Sequence, residues 1–316
     1  MSSFLIKMNF KCRDIISIRD FSKKEIDFII NFANKMIPYA RGEKYEPILR
    51  GKVLSSLFFE PSTRTRLSFE TAMNRLGGRV IGFADPSGTS QKKGESLADT
   101  IRMANAYSDA IVIRHHQEGA ARLAAEFADV PVINAGDGAG HHPTQCLLDL
   151  FTIRAEKKGI KNKNIVLVGD LKYGRTVHSL AHALALYGAK LTFVSPVTLK
   201  MPIEVINDCR NLGVEPLQTA SLDKAVKDAD VLYVTRIQKE RFPDPEEYNR
   251  VVGSYKINIE LLNEAKKDII VMHPLPRVTE IDPEVDKTHH AIYFKQAFNG
   301  VPIRMALLSL LMGGKL

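Results

Sequence analysis

The chain has 316 residues, of which 45% are hydrophobic and 25% are charged, a balance typical of a globular protein with roughly two domains. Its 44 basic and 36 acidic residues form no long basic tract, so the net charge of +8 suits an anionic small substrate as well as it suits nucleic acid. No apolar run is long enough for a membrane span, the N-terminus lacks a secretory signal, and the 3 cysteines show no zinc or disulfide spacing, so we expect a cytoplasmic protein that contacts neither membrane nor nucleic acid.

Short apolar runs alternate with amphipathic stretches along the chain, a pattern typical of parallel strands with crossover helices. The first series of predicted elements comprises strands at Val53–Phe58, Val80–Phe83, Ala110–Ile113 and Val130–Asn134 and a helix at Thr65–Leu76. A long helix from Pro143 to about Lys158 leads to the second series, with strands at Ile165–Val168, Leu191–Val194, Val231–Thr235 and Ile269–Met272, a helix at Thr176–Tyr187 ended by Gly188 and a terminal helix at Arg304–Leu311. The sequence therefore predicts an α/β protein in which two α/β domains with parallel sheets are joined by long helices.

The strongest local signal is Ser62-Thr63-Arg64-Thr65-Arg66, which lies between an apolar strand and an amphipathic helix. Hydroxyls and free backbone N–H groups at a helix N-terminus bind anions, and the planar fork of arginine matches phosphate oxygens. The alternative is a Ser/Thr helix cap whose arginines only face solvent. Two hydroxyl–arginine pairs at one strand–helix junction favour the anion site. The segment lacks the Gly-x4-Gly-Lys pattern of a Walker loop.

Two further segments lie where α/β proteins place ligands. The spacing of Gly136–Gly140 does not match a dinucleotide fingerprint, and a glycine-rich turn that delivers His142 and Gln145 to a helix start explains the segment better. A metal site at His141 and His142 is a weaker alternative, because no acidic or cysteine partner stands at helical spacing. His273–Arg277 follows a predicted strand, and its prolines indicate either a ligand site at the strand end or only a rigid turn.

Taken in order, these motifs resemble those of the aspartate/ornithine carbamoyltransferase family along nearly the whole chain. The matching segments are Phe58–Glu70, Lys93–Thr100, Arg114 with its neighbours, Ala135–Asp149, Val168–Ser179, Thr235–Arg241, His273–Arg277 and Phe294–Asn299. The resemblance implies a carbamoyl phosphate domain at 1–142, to which a C-terminal helix at 299–316 returns, and an aspartate domain at 143–298. It also implies carbamoyl transfer from carbamoyl phosphate to the α-amino group of L-aspartate, a step of pyrimidine biosynthesis, with no cofactor and no metal ion.

The resemblance assigns the carbamoyl phosphate side residue by residue. The phosphate is expected to be held by Ser62, Thr63, Arg64 and Thr65. The carbamoyl oxygen and phosphate are expected to be surrounded by the catalytic residues Arg64, Thr65, Arg114 and His142. The carbamoyl amine is expected to bind Gln145 and the carbonyls of Leu275 and Pro276, with the Leu275–Pro276 peptide bond in the cis form.

The aspartate side needs two cationic clamps, because the acceptor has two carboxylates. By the same resemblance, Arg175 takes the α-carboxylate with help from Arg114, while Arg236 and Gln238 take the side-chain carboxylate. Ornithine-specific members typically carry His-Cys-Leu-Pro where this chain has His-Pro-Leu-Pro at 273–276, so aspartate is the favoured acceptor. An ornithine transferase and a catalytically silent binding subunit are the alternatives.

The resemblance further implies a homotrimer whose active sites are shared between chains. A neighbouring chain is expected to supply Lys93 to both substrates and a hydroxyl to carbamoyl phosphate, either from Ser90 or from Thr89. On domain closure Glu60 is expected to reach Arg175 and Arg241, and the alternative is that Glu60 caps its own loop. Whether zinc-binding regulatory chains join such trimers into an allosteric assembly is left open by the sequence.

Overall fold

The structure is a computed structural model, and it describes residues 10–238, 242 and 245–314 of the chain. Tertiary contacts divide the chain into two units, of which the first consists of residues 1–144 and 300–316 and the second of residues 145–299. In the described part of the chain, no helix combines the length and the apolar character needed to span a bilayer.

The first unit is built on a parallel sheet of four strands in the order β2-β1-β3-β4. The strands are β1 (Val53–Phe58), β2 (Arg79–Phe83), β3 (Ala110–His115) and β4 (Val132–Asp137). A helix, α1 (Lys23–Arg41), precedes the sheet, and the strand connections contain α2 (Thr63–Arg75), α3 (Leu97–Tyr107) and α4 (Ala120–Glu126). Ser22 and Glu25 close the first turn of α1 through reciprocal hydrogen bonds.

Burial differs between the two edges of this sheet. The inner strands β1 and β3 carry fully buried residues such as Leu54 and Ile111, and the edge strand β4 is also buried, with Ile133 as an example. The opposite edge strand, β2, is largely exposed. On α2, the apolar Phe69 and Met73 are buried at helical spacing, but the apolar Leu67 is 48% exposed.

The path of the chain creates a crevice in the first sheet. The chain leaves β1 on one side to form β2 and then returns to the other side of β1 to form β3. Strand order therefore reverses between β1 and β3, and α/β proteins bind ligands at the carboxyl ends of strands at such a point. Phe58 at the end of β1 lies opposite Arg114 in β3, so the loops that follow these two residues start side by side.

The second unit has a parallel sheet of five strands in the order β7-β6-β5-β8-β9. Between two long helices, α5 (Pro143–Lys157) and α11 (Tyr293–Leu311), the elements in chain order are β5 (Asn164–Val168), α6 (Arg175–Leu186), β6 (Lys190–Val194), α7 (Ile203–Asn211), β7 (Leu217–Thr219), α8 (Leu222–Val226), β8 (Val231–Val234), α9 (Pro245–Val251), α10 (Ile259–Asn263) and β9 (Ile270–Met272). Here strand order reverses between β5 and β8. The second sheet therefore has its own crevice, at the carboxyl ends of these two strands.

The predicted fold class and the main predicted strands are confirmed. The first strand has the predicted bounds, and the other predicted strands differ by one to three residues at an end. The helix α6 ends near the predicted Gly188, which has a φ of 70°. Short elements such as β7, α8 and α10 are absent from the sequence-based prediction, because so few residues carry little periodic signal.

The terminal helix was predicted too short, since α11 begins at Tyr293 and not near Arg304. Gly300 and Pro302 disfavour helix locally, and a sequence pattern therefore suggests a start after them. In the structure the helix continues through both residues. Its side chains from Val301 to Leu308 are buried, and that burial offsets the cost of the two residues.

Candidate active site

The predicted anion loop connects β1 to α2. Ser62 has an extended backbone at the N-cap of the helix, and its side chain makes no capping hydrogen bond. Thr63 and Arg64 are exposed in the first turn, while Thr65 is buried. The first backbone N–H groups of a helix have no partner within it. These N–H groups, the hydroxyls and Arg64 therefore form an arrangement that suits a phosphate better than a self-capped helix end.

Arg114, near the end of β3, is oriented by its neighbours in the same sheet. One guanidinium N–H group donates to a carboxylate oxygen of Glu60, and Nη1 donates to the carbonyl oxygen of Ala135 at 3.1 Å. The Arg114 carbonyl in turn accepts the backbone N–H of Phe59 at 2.8 Å. The Arg114 side chain is 12% exposed. The charge of Arg114 is thus positioned at the crevice between β1 and β3.

The glycine-rich turn after β4 leads directly to His142. Asp137 ties the turn together, because its Oδ1 accepts N–H groups from His141 at 2.7 Å and from the side chain of Asn134 at 3.0 Å. Gly138 has a φ of 48°, and a Cβ at this position would lie 2.8 Å from two backbone atoms of the neighbouring loop. Only glycine fits this path. His142 itself is 4% exposed and directly precedes α5.

Burial lowers the pKa of two histidines beside this turn. Burial and, to a smaller extent, the charge of His116 lower the pKa of His115 to about 4. Burial also lowers the pKa of His141, whose Nδ1 lies 3.4 Å from the hydroxyl of Ser17. Among the residues that the structure describes, no group of three or more His, Cys, Asp or Glu side chains could hold a metal ion. His141 and His142 are therefore not part of such a group.

In the second unit, the loop after β5 leads to Arg175 at the first position of α6. Asp170 is fully buried in this loop, and its Oδ1 accepts the backbone N–H of Tyr173 at 2.9 Å. Gly169 has a φ of 122°, and an added Cβ would lie 2.2 Å from the carbonyl oxygen of Thr235. The close approach joins the loop that leads to Arg175 to the end of β8. Arg175 is 9% exposed.

Arg236 and Gln238 lie in the segment after β8, beyond Thr235, and both are partly buried. The N–H of Thr235 donates to the carbonyl of Val168 at 2.9 Å, so β8 stays joined to β5 up to the residue before Arg236. A cavity of about 70 Å³ opens beside this junction, with a lining that includes Gly169, Thr235, Arg236, Tyr248, Tyr255 and Glu280. The predicted closure residue Arg241 lies outside the described residues.

The segment after β9 is shaped by His273. Its Nδ1 accepts the backbone N–H of Leu275 at 2.7 Å, so the ring proton is on Nε2, which donates to Glu280 at 2.7 Å. Burial alone would raise the pKa of Glu280, but the hydrogen bonds from His273 and the backbone lower it below its usual value. The Leu275–Pro276 peptide bond is cis, which confirms that prediction. The loop that carries the carbonyls of Leu275 and Pro276 is thus held by the hydrogen bonds of His273 to Leu275 and Glu280.

Gln145 belongs to a buried polar cluster whose other members are not predicted from the sequence. The other members are Asp149, Tyr233 and Gln296, and each is no more than 1% exposed. Gln145 and Asp149 stand four residues apart on α5, and this helical spacing is the one local signal for the cluster. Tyr233 and Gln296 come from β8 and α11, so only the fold reveals their proximity.

Ser90 and Lys93 follow β2 in the chain and not the two strands that flank the crevice, β1 and β3. Both are exposed and lie in a short 3-10 helix, Ser90–Lys93, that follows the edge strand β2. The hydroxyl of Thr89 donates to the carbonyl of Pro86 at 2.8 Å within its own turn.

The family model for the aspartate/ornithine carbamoyltransferase carbamoyl-P binding domain matches residues 13–155, and the model for the family's Asp/Orn binding domain matches residues 161–311. The chain belongs to the aspartate/ornithine carbamoyltransferase family. Membership confirms the resemblance predicted from the sequence. The prediction of an enzyme that transfers a carbamoyl group to aspartate is confirmed by relatives that are aspartate carbamoyltransferases.

Individual members of the family are similar over almost their whole length. The aspartate carbamoyltransferase catalytic subunit of Methanothermobacter thermautotrophicus is 62% identical over 298 residues, which cover 94% of this chain and 95% of the relative. The catalytic subunit of M. jannaschii aspartate transcarbamoylase has a TM-score of 0.89 at 53% identity, with 95% and 98% of the two chains covered. The Trypanosoma cruzi aspartate transcarbamoylase, solved in complex with carbamoyl phosphate and aspartate, has a TM-score of 0.90 at 40% identity, with 96% and 97% covered.

Proposed function

We propose that the first unit binds carbamoyl phosphate and that the second unit supplies the groups that choose L-aspartate as the acceptor. The observation that carries this proposal is the position of the predicted clamps. The anion loop follows β1, and Arg114 lies near the end of the neighbouring strand β3. In the second unit, Arg175 lies after β5, and Arg236 lies after the neighbouring strand β8. Each pair therefore stands at the point where strand order reverses in its own sheet, which is where α/β proteins bind ligands.

Carbamoyl phosphate binds with its phosphate at the N-terminus of α2. The backbone N–H groups and the hydroxyls of Ser62, Thr63 and Thr65 donate to the phosphate oxygens, and Arg64 neutralises their charge. The lack of a capping hydrogen bond from the Ser62 side chain and the exposure of Arg64 support this role. Arg114 and His142 donate to the carbamoyl oxygen. Gln145 and the carbonyls of Leu275 and Pro276 take up the amine.

Aspartate is bound by two separate clamps. Arg175 and Arg114 bind the α-carboxylate, and Arg236 with Gln238 binds the side-chain carboxylate. The contact of Gly169 with the end of β8 keeps the Arg175 loop beside the strand that precedes Arg236, which supports a fixed distance between the two clamps. An ornithine side chain ends in an ammonium group, which Arg236 would repel.

The reaction is a direct acyl transfer. The lone pair of the aspartate α-amino nitrogen forms a bond to the carbamoyl carbon, and the bond from that carbon to the phosphate oxygen breaks, so phosphate leaves with the electron pair. The departing phosphate accepts the amine proton. Negative charge develops on the carbamoyl oxygen, where donors such as Arg114, Thr65 and His142 each contribute about 2–4 kcal/mol of transition-state stabilisation when well aimed. Orientation of the two substrates contributes further to the rate.

The active form is a homotrimer of cytoplasmic chains with shared sites. Lys93 and a hydroxyl of one chain reach the substrates bound by its neighbour. The exposure of Lys93 supports this role, and the hydrogen bond of Thr89 within its own turn favours the exposed Ser90 as the residue that supplies the hydroxyl.

Closure of the site brings Glu60 to Arg175 and Arg241. Regulatory chains that bind zinc are a candidate further partner of the trimer.

One assay tests the proposed activity. Phosphate release from carbamoyl phosphate is measured with L-aspartate, with L-ornithine and with no acceptor. We expect release that depends on aspartate, together with formation of N-carbamoyl-L-aspartate. Release with ornithine in place of aspartate would indicate the other acceptor class, and no acceptor-dependent release would indicate a silent binding subunit. Sizing of the pure chain, alone and after addition of candidate regulatory chains, tests the assembly.

A further inference from the structure

A carboxylate with no part in the proposed chemistry is buried one helical turn after Gln145. Asp149 is fully buried, and a buried carboxylate is costly unless donors surround it. Its Oδ1 accepts hydrogen bonds from Nε2 of Gln145 at 2.9 Å and from Nε2 of Gln296 at 2.7 Å. Its Oδ2 accepts a hydrogen bond from the hydroxyl of Tyr233 at 2.8 Å. Burial and the nearby Asp149 carboxylate raise the pKa of Tyr233 well above its usual value, so this hydroxyl stays a donor.

The bond from Gln145 to Asp149 determines which way the amide of Gln145 faces. An ionised carboxylate only accepts hydrogen bonds, so it selects the amide nitrogen of Gln145 and repels the amide oxygen. A flip of the amide would place its oxygen against Oδ1 and leave a buried acceptor without its donor. The oxygen of Gln145 is therefore held on the side away from Asp149, where it can act as an acceptor.

The same carboxylate also acts on the loop after β9. Gln296 donates its Nε2 to Asp149, and its Oε1 accepts the backbone N–H of His273 at 2.9 Å. The ring of His273 then accepts the N–H of Leu275 at 2.7 Å. An unbroken series of hydrogen bonds thus runs from Asp149 to the residue whose carbonyl is assigned to the carbamoyl amine.

We propose that Asp149 is a positioning residue that makes the site selective for an amine-bearing acyl phosphate, because it turns the amide oxygen of Gln145 and, through Gln296 and His273, the Leu275–Pro276 carbonyls toward the carbamoyl amine. This inference rests on the proposed function, which assigns those three acceptors to that amine. An acceptor set of this kind matches the two N–H bonds of a carbamoyl group. A methyl group in the same place cannot donate hydrogen bonds, so the three acceptors would be left without donors.

Acetyl phosphate is therefore the discriminating probe, because it replaces the carbamoyl amine by a methyl group of similar size. The Michaelis constant for carbamoyl phosphate and the inhibition constant of acetyl phosphate are measured on the assembled wild-type enzyme and on Asp149→Asn. The asparagine amide can donate to the oxygen of Gln145, so the Gln145 amide can flip and present N–H groups to the carbamoyl amine. We expect the constant for carbamoyl phosphate to rise about tenfold, and that for acetyl phosphate to change by less than about twofold.

Thr152→Val is the matched control. Thr152 is fully buried on the same helix, and its hydroxyl accepts the side-chain N–H of Asn299 at 2.9 Å, without a hydrogen bond to the Asp149 cluster. The substitution removes a buried hydrogen bond of α5 and is expected to lower the unfolding temperature. It should leave the ratio of the two donor constants within about twofold of the wild-type value.

The outcomes separate this inference from the proposed function. If Asp149→Asn weakens both acyl phosphates equally or changes neither, the positioning role is overturned, while aspartate-dependent turnover of the wild type leaves the proposed function intact. If the wild type shows no aspartate-dependent phosphate release, the proposed function itself fails. Should Asp149→Asn not fold, Gln296→Met decides, since it interrupts the same hydrogen-bond series. A lower selectivity for carbamoyl phosphate supports the role, and unchanged selectivity overturns it.

Discussion

Glu60 and Arg114 form an ion pair at the carboxyl ends of β1 and β3. The backbone N–H of Phe59, next to Glu60, also donates a hydrogen bond to the carbonyl of Arg114. The carbonyl of Ala135 in β4 accepts a second N–H of the same guanidinium. The loop after β1 and the strand β4 therefore determine the direction of the arginine that is proposed to face the carbamoyl oxygen. Glu60 has a role in the first unit whether or not it also acts in closure.

Replacement of Glu60 by glutamine tests that role. The largely buried Arg114 would lose its charged partner, so we expect kcat to fall about tenfold or more and the Michaelis constant for aspartate to rise. Glu70→Gln is the control, because the 3.7 Å ion pair of Glu70 with Arg66 stays within α2. Its effect should stay within about twofold. Wild-type kinetics for Glu60→Gln would contradict both the orienting role and the closure role.

Arg64→Ala should remove the phosphate clamp while the fold survives. Arg64 is exposed, so its truncation creates no cavity. We expect turnover to fall by about a hundredfold to a thousandfold, the loss typical of one aimed donor in an active site. Steady-state kinetics and size-exclusion chromatography measure activity and assembly together. Arg75→Ala, an exposed arginine at the other end of α2, should retain activity, and an active Arg64→Ala enzyme would disprove the phosphate assignment.

Arg236→Ala should act on one substrate only. Loss of the clamp for the side-chain carboxylate is expected to raise the Michaelis constant for aspartate by about tenfold to a hundredfold and to leave that for carbamoyl phosphate nearly unchanged. Arg210 is an exposed arginine of the same unit, paired with Glu215 at 2.7 Å, and Arg210→Ala serves as the control. Equal effects of Arg236→Ala on both substrates would argue against a clamp specific to aspartate.

The buried His115 should make the protein less stable in mild acid. Its folded pKa is about 4 against a usual value of 6.5, so between these values the unfolded chain binds a proton that the folded chain does not. The contribution of the neutral His115 to the free energy of unfolding is complete above pH 6.5. It is lost as the pH falls toward 4, and the loss is at most about 3 kcal/mol.

The measurement is the free energy of unfolding in urea at a fixed protein concentration from pH 7 to pH 4. His115→Asn keeps an acceptor for the Gln117 N–H, which donates to Nδ1 of His115 at 3.0 Å, but removes the titration. This variant should therefore lose less stability than the wild type over that range. His289→Asn, at an exposed histidine, should follow the wild-type curve. Parallel curves for His115→Asn and the wild type would refute the assignment.

Local patterns were sufficient to predict most of the sheet framework. The strand Val53–Phe58 is a short apolar run followed by a turn-forming and cap-forming segment, and its bounds follow from these neighbours alone. The start of α11 could not be predicted in this way, because Gly300 and Pro302 favour a break that only their buried surroundings overrule. The exposure of Leu67 is likewise invisible to periodicity, which cannot tell which apolar side chains a neighbouring element covers.

The sequence by itself determined the family, the fold class and the residue types of the candidate site, because the anion loop, the glycine-rich turn and the His-Pro-Leu-Pro segment are each contiguous. Only the tertiary structure decided how those residues are oriented. Arg114 receives its direction from Glu60 and Ala135, and Gln145 from a carboxylate that also contacts Tyr233 and Gln296. Most of these contacts join residues distant in sequence. The donors that Tyr233 and Gln296 bring to the buried Asp149 carboxylate come from β8 and α11, and no local pattern records them.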